Sequence, residues 1–383
     1  MKILIIGEGN DIWMKRYIQN VLLEGNHEIF LTISGSDSIY LDFFRDNNVH
    51  LINFIRTIPV ISRIPLVGSI MNYAFVYQKL KHYYFDVIHI HFMALPYIVL
   101  ACLLKRKTAV LIGSFWGSDL FRVSRAIASL SRRLMGLFDC FTVFTEAMRK
   151  KFVDLYSEKY SGKLKMMKFG FSGYDDINAV VKKCSKEKCK EFFGIPAEKT
   201  TISIGYNARK EQQHIQVLTE LMAVPKEIWK EVVFIFPLTY ATAADNKSAL
   251  INNLVELLDE MQIDYIILES FLTDEEIAML RVSTDIFIHA QTTDAFSASV
   301  QEYIFAGAKV LSPTWIQYDE TIKQCAANFF EYSSLNELPI LLSSVLNTER
   351  NTALTDSGKL YKLFSWDSVR ESWQKLYVNF LKK

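Results

Sequence analysis

The stretch DIFIHAQTTDAFSASVQEYIFAGAKVLSP, residues 285–313, holds one full cycle of strand, loop, helix and strand. DIFIHA is short, apolar and rich in β-formers, the composition of a strand buried on both faces. SASVQEYIFAGA reads as a helix, with Ser297 near its cap and Gly307 placed to stop it. AKVLSP then returns as a strand. Joining two strands through a helix makes a parallel pair, because the chain must cross back over the sheet.

The same alternation runs in both directions. Upstream in this half, strands are predicted at TTISIGY (200–206), EVVFIFPLTY (231–240) and DYIILES (264–270), and downstream at NFFEY (328–332). Residues 1–175 carry a second series: KILIIG, HEIFLTI, VHLINF, DVIHIHF, TAVLIGSF, CFTVFT and KLKMMKF. Two such series predict an α/β protein of two Rossmann-like domains, each a parallel sheet covered on both faces. The Gly/Ser/Asp cluster GFSGYDD (170–176) places the boundary, giving domains at 1–175 and 176–365. Residues 366–383 form a tail helix whose Val369, Trp373, Leu376, Tyr377 and Phe380 recur at helical spacing, so it must pack on something; the first domain is one candidate. Ligands of open α/β sheets bind at the carboxyl ends of the strands, so site residues are expected there, on either side of a cleft.

Composition narrows the function. Half of the 383 residues are hydrophobic, enough for two cores and against disorder. MKILIIGEGN turns polar too soon for a secretory signal, and the longest apolar runs are too short to span a bilayer. Five scattered cysteines fit a reducing, cytoplasmic setting. The net charge of +1 hides an asymmetry: residues 1–175 hold 22 Lys and Arg against 14 Asp and Glu, the remainder 21 against 28. The first half therefore faces something anionic. No nucleic-acid module is recognisable, which favours an anionic membrane surface or a lipid-linked phosphate.

Several turns carry polar residues where ligands bind. GEGNDI (7–12) opens like a dinucleotide turn but has Ile12 in place of the third glycine, so Gly9 serves either a close backbone approach to a ligand or turn geometry alone. DVIHIH ends in His89 and His91 on one sheet face, with His91 at the strand end either in the core or lining the cleft. In GSFWGSDLFR (113–122), Trp116 and Gly117 form a loop across the cleft, and Asp119 either caps a helix or accepts from a ligand hydroxyl. GYNARKEQQHI (205–215) is a strand–turn–helix in which Gly205, Asn207, Arg209 and Lys210 either cradle a diphosphate or are solvated. Tyr240 ends a neighbouring strand and joins the donor-site candidates. In the opening stretch, Asp294 lies in the loop and Glu302 five residues into the helix; amides near Phe296 and Ser297 suit a phosphate or sugar oxygen, and Glu302 two vicinal hydroxyls.

The spacing from Asp294 to Glu302, with EYIFAGAKVL behind it, resembles the E-x7-E motif of family-four glycosyltransferases of the GT-B fold. DVIHIH and GSD are similar to two N-domain motifs of that group, and WGSDLF and GYNARKEQQHI resemble loops of bacterial 4-acetamido-fucosyl (Fuc4NAc) transferases. The resemblance implies transfer of a sugar from a nucleotide-diphosphate donor to a hydroxyl, without an essential metal or cofactor and with anomeric configuration retained. It implies that Glu302 holds the ribose, that Asp294, Phe296 and Ser297 lie near the donor sugar, and that Arg209 or Lys210 neutralises the leaving diphosphate. Three departures stand out: Asp for the first Glu, Trp116 where many members have His, and adjacent Arg and Lys. The basic, apolar segments 53–73 and 121–138 fit peripheral binding to the inner face of the cell membrane and a polyprenyl-linked saccharide acceptor, or else buried helices with basic edges. A nucleotide-sugar epimerase and an inactive nucleotide-sugar-binding subunit are the rival readings.

Overall fold

A computed structural model of the chain describes residues 1–34, 40–54, 65–241, 245–295, 297–318, 320–326, 328–347 and 356–381. Two compact units form: Met1–Gly170 with Trp366–Lys383, and Phe171–Ser365. The division falls before residue 175 because the helix Gly173–Lys183 packs on the helices Asp274–Ser283 and Ala298–Phe305 of the second unit.

Among the described residues the first unit is built on seven strands: β1 (Lys2–Ile6), β2 (Glu28–Ser34), β3 (His50–Phe54), β4 (Phe85–His91), β5 (Thr108–Ser114), β6 (Cys140–Val143) and β7 (Leu164–Met166). They pair in the order β3-β2-β1-β4-β5-β6-β7, every pair parallel. Residues Ile3 to Ile6 are fully buried, as a central strand covered on both faces requires. The second unit has six: β8 (Thr200–Ile204), β9 (Val232–Pro237), β10 (Asp264–Leu268), β11 (Ile286–Ile288), β12 (Lys309–Pro313) and β13 (Phe329–Tyr332). Their order is β10-β9-β8-β11-β12-β13, again parallel throughout. Ile202, Phe234, Phe236 and Ile288 join Val217, Leu254 and Leu342 from flanking helices in its main core.

Each sheet reverses its winding at one place, between β1 and β4 in the first unit and between β8 and β11 in the second. At such a switch point the two loops leave in opposite directions and open a crevice at the strand ends.

The tail helix Trp366–Leu381 belongs to the first unit and buries Trp373 and Tyr377 completely. Trp373 Nε1 donates to the carbonyl of Lys168 at 2.9 Å. Tyr377 starts a buried polar chain: its hydroxyl lies 2.7 Å from Tyr17 and 2.7 Å from His89 Nδ1, and His89 Nε2 continues to Ser114 and Thr142. Burial holds His89 well below the usual histidine pKa, so the ring is neutral.

Candidate functional site

The second unit brings two loops together at its switch point. Residues 205–213 follow β8 and residues 289–297 follow β11, and cross-bonds join them. Thr292 N donates to Glu211 O at 2.9 Å, Gln212 Nε2 to Gln291 Oε1 at 2.8 Å, and Gln213 Nε2 to Ala290 O at 2.5 Å. Tyr206 also donates to Gln291 Oε1. Gly205 sits at φ +65°, and a Cβ there would come within 2.4 Å of the His214 ring, so turn and packing both demand glycine. His214 Nε2 is 2.8 Å from the Asn207 carbonyl, and burial lowers its pKa to about 4.

Within this frame Arg209 Nη2 bonds Glu211 at 3.3 Å while its Nε is buried without an acceptor. The Asn207 side chain accepts from Arg209 N at 3.0 Å, which fixes the turn. Lys210 is exposed and its backbone N–H donates to Asp245. Tyr240 is exposed, and its carbonyl accepts from Ala208 N at 2.7 Å, a backbone tie to the turn.

Asp294 is held at both oxygens. Oδ1 accepts from Ala295 N at 2.7 Å and Oδ2 from the Tyr318 hydroxyl at 2.8 Å. Because Tyr318 spends its proton on Asp294, its oxygen accepts from His289 Nε2 at 3.1 Å. That assigns the proton to Nε2 and leaves buried Nδ1 without a partner. Burial drives the His289 pKa down to about 3, so the ring is neutral beside the carboxylate.

Ser297 caps the helix Ala298–Phe305, accepting from Val300 N. Phe296 lies outside the described residues. Glu302 is buried, and its Oε2 receives Arg281 Nε at 3.2 Å. Arg281 also bonds Ser299 at 3.1 Å and lies 4.2 Å over the Tyr303 ring. The other oxygen, Oε1, abuts Gly173 so closely that a Cβ there would be 2.3 Å away. This is the first turn of the helix Gly173–Lys183, whose dipole favours a carboxylate. Glu302 thus has Arg281 on one oxygen and Gly173 against the other.

The first unit has its own crevice at the β1/β4 switch point, a cavity of about 370 Å³. His91 and Phe92, at the end of β4, line it together with Trp116. Glu8 and Asp11 border it from the turn after β1, and Tyr73 and Tyr97 from helices. His91 is fully buried, yet both ring nitrogens lack a partner, as does Trp116 Nε1. Burial takes the His91 pKa down to about 3. Burial first, then the Glu8 charge, pushes the Tyr73 phenol up to about 12.

Two first-unit readings change. Asp119 is buried and accepts backbone N–H groups from Met93 at 2.7 Å and from Trp116 and Gly117 at 2.9 Å each. Those bonds occupy the carboxylate, which ties the Trp116 loop to the end of β4, and Asp119 does not line the cavity. Gly117, at φ +113°, makes the turn that this tie requires. Gly9 donates to Thr32 O at 3.2 Å and packs against Leu31 and Ile33, so its small size serves packing on β2.

Sequence reasoning missed Arg281, Tyr318 and His289 around the second-unit loops, and Glu8, Asp11, Tyr73 and Tyr97 around the cavity. His289 carried a signal, since it follows an apolar strand as His91 ends DVIHIH. Among the described residues, no group of three or more His, Cys, Asp or Glu is arranged to hold a metal ion.

Residues 2–138 match the family model described as "Glycosyl transferase 4-like". A comparison with curated proteins finds no match. Among solved structures, a glycosyltransferase from Rickettsia africae superposes with TM-score 0.75 at 15% identity, covering 100% of this chain and 99% of that one. Anabaena HepE in complex with UDP and glucose gives 0.73 at 15% identity over 99% of both chains. Sucrose-phosphate synthase from Thermosynechococcus elongatus gives 0.75 at 11% identity, over 100% of this chain and 99% of that one. Together these define the fold: the chain has the GT-B arrangement of two Rossmann-like units, and residues 2–138 of its first unit are similar to the glycosyl transferase 4-like family.

Proposed function

We propose that the protein moves a sugar from a nucleotide-diphosphate donor held by the second unit to a hydroxyl of a lipid-linked saccharide, in cell-surface polysaccharide synthesis and with retention at the anomeric carbon. The observation that carries the donor assignment is the pair of cross-bonded loops at the β8/β11 switch point. That crevice holds the Arg209 turn on one side and the Asp294 loop with the capped Ser297 helix on the other. The unmet Nε donor of Arg209 suits a diphosphate oxygen, and a helix amino end favours an anion. The UDP and glucose named with the Anabaena structure are the donor class we extend to this chain. No metal or cofactor enters the reading. Developing charge on the leaving diphosphate would meet fixed donors, the most effective form of electrostatic stabilisation.

Thermal unfolding with UDP, UDP-glucose and other nucleotide sugars tests this. A true donor at a hundredfold excess over its Kd stabilises by about 2.7 kcal/mol, and Arg209→Ala should abolish that gain. No protection by any nucleotide diphosphate would overturn the donor assignment. Incubation with the donor alone separates the epimerase rival, which needs no acceptor.

For the membrane, support comes from the helix Arg125–Arg132, which buries only Ala128 and Ser131. Ile127 and Leu130 are exposed beside exposed Arg125 and Arg133. The segment 121–138 is not continuous helix: the chain breaks at Arg122–Ser124 and again after Arg132. Arg56 and Arg63 lie outside the described residues, and among those described no helix is long and apolar enough to cross a membrane. We expect co-sedimentation with anionic vesicles that falls on Leu130→Glu. Equal recovery of both proteins in the supernatant counts against peripheral attachment at this helix.

A further inference from the structure

We infer that the first-unit cavity takes a saccharide ring bearing no phosphate or carboxylate, with His91 and Trp116 reading its hydroxyls and Glu8 and Asp11 turning anionic sugars away. This rests on reading the first unit as the acceptor side of the proposed reaction. It goes further in fixing the chemistry of the ring that enters.

Size comes first. A volume of about 370 Å³ lies within the range of small-molecule pockets, at its lower end. It suits a sugar unit and not a large aglycone.

The second argument is the unmet polarity of the wall. His91 has 1% of its surface exposed, yet neither ring nitrogen has a partner. A buried polar group without a partner costs roughly 1–3 kcal/mol, so two on one ring point to a ligand that supplies both. Neutral imidazole offers one donor and one acceptor, a match for the two roles of a hydroxyl. The orphaned Trp116 Nε1 adds a donor, and the aromatic faces of Tyr97, Tyr73 and Trp116 suit the apolar faces of a sugar.

The third argument is charge. Glu8 and Asp11 border the cavity, and among the described residues no lysine or arginine lines it. The basic character of this half of the chain lies elsewhere, on surfaces such as the Arg125–Arg132 helix. With His91 neutral, a phosphate or carboxylate would meet Glu8 and Asp11 and, among the described lining residues, no lysine or arginine.

Saturation-transfer NMR on the full-length protein, using hexoses and N-acetylhexosamines with their 6-phosphates, tests the assignment. At least one uncharged sugar should bind, with its 6-phosphate weaker by roughly tenfold, the size of one charge-assisted contact. His91→Ala should lose the uncharged sugar while keeping protection by the nucleotide sugar, and Glu8→Gln should narrow the phosphate penalty. Equal or tighter binding of the phosphates overturns the inference. So does no binding by any sugar while a nucleotide sugar still protects, a result that leaves the donor reading standing.

Discussion

Glu302 and Arg281 are each less than a tenth exposed at the side chain and meet at 3.2 Å, which fixes what a substitution at 302 can reveal. Removing the carboxylate strands a buried guanidinium, a loss of about 3–5 kcal/mol. Glu302→Ala should therefore lower the unfolding free energy by that much, and lost turnover in it would be uninformative. Glu302→Gln keeps an acceptor for Arg281 and should cost less than half as much in urea unfolding. A folded Glu302→Gln enzyme is the proper test of ribose contact, read as a rise in KM for the nucleotide sugar. Equal destabilisation by both changes would mean that the carboxylate charge, and not the hydrogen-bond acceptor alone, holds Arg281. Asp119 is a second case of a carboxylate used by the fold: Asp119→Ala orphans the N–H groups of Met93, Trp116 and Gly117 at once.

The tail helix Trp366–Leu381 shows how one element can hold a unit together from far along the chain. Trp373→Ala removes a fully buried indole and its bond to Lys168, an expected loss of about 3–5 kcal/mol. Tyr377→Phe keeps the shape but breaks the Tyr17–Tyr377–His89 chain, for roughly 1–3 kcal/mol. Both should lower the denaturation midpoint; unchanged midpoints would detach the helix from the first unit's stability. The amphipathic stripe of this helix was legible in sequence because period and burial coincide: Val369, Trp373, Leu376 and Tyr377 are all buried. Central strands such as β1, β4 and β9 were legible for the same reason, since a central parallel strand is apolar on both faces; the edge strand β7 is mostly exposed. What escaped was pairing across elements. Arg281 looks like an ordinary helix residue until it meets Glu302, twenty-one positions on, and Tyr318 acquires its role only from the loop after β11. The bonds of Asp119 escaped for the same reason, because sequence cannot show that three amides face it.

At the scale of the whole molecule, buried histidines set the acid limit. His91 and His289 have pKa values near 3 and His214 near 4, each lowered chiefly by burial from 6.5. A base that is harder to protonate when folded gives up stability as pH falls, because the unfolded chain binds protons the native state refuses. The effect starts below about pH 6.5 and grows until the folded pKa is reached. Each histidine loses about 1.4 kcal/mol per pH unit, so three together lose roughly 4. Asp119 works against them: burial raises its pKa to about 6, and its protonation as pH falls returns on the order of 3 kcal/mol between pH 6 and 4. Asp119 shares the first unit with His91 and nearly offsets it down to about pH 4, whereas His214 and His289 act together in the second. His214 and His289 both lie in the second unit, and their combined loss of about 2.7 kcal/mol per pH unit is enough to unfold it against a typical total stability of about 5–15 kcal/mol. Circular dichroism across a pH titration should show cooperative unfolding of the second unit between about pH 3.5 and 5, ahead of the first. His289→Gln, which cannot titrate, should move the second unit's transition to lower pH. Native ellipticity persisting at pH 3 would mean that these rings are protonated in the folded chain and are not buried as described.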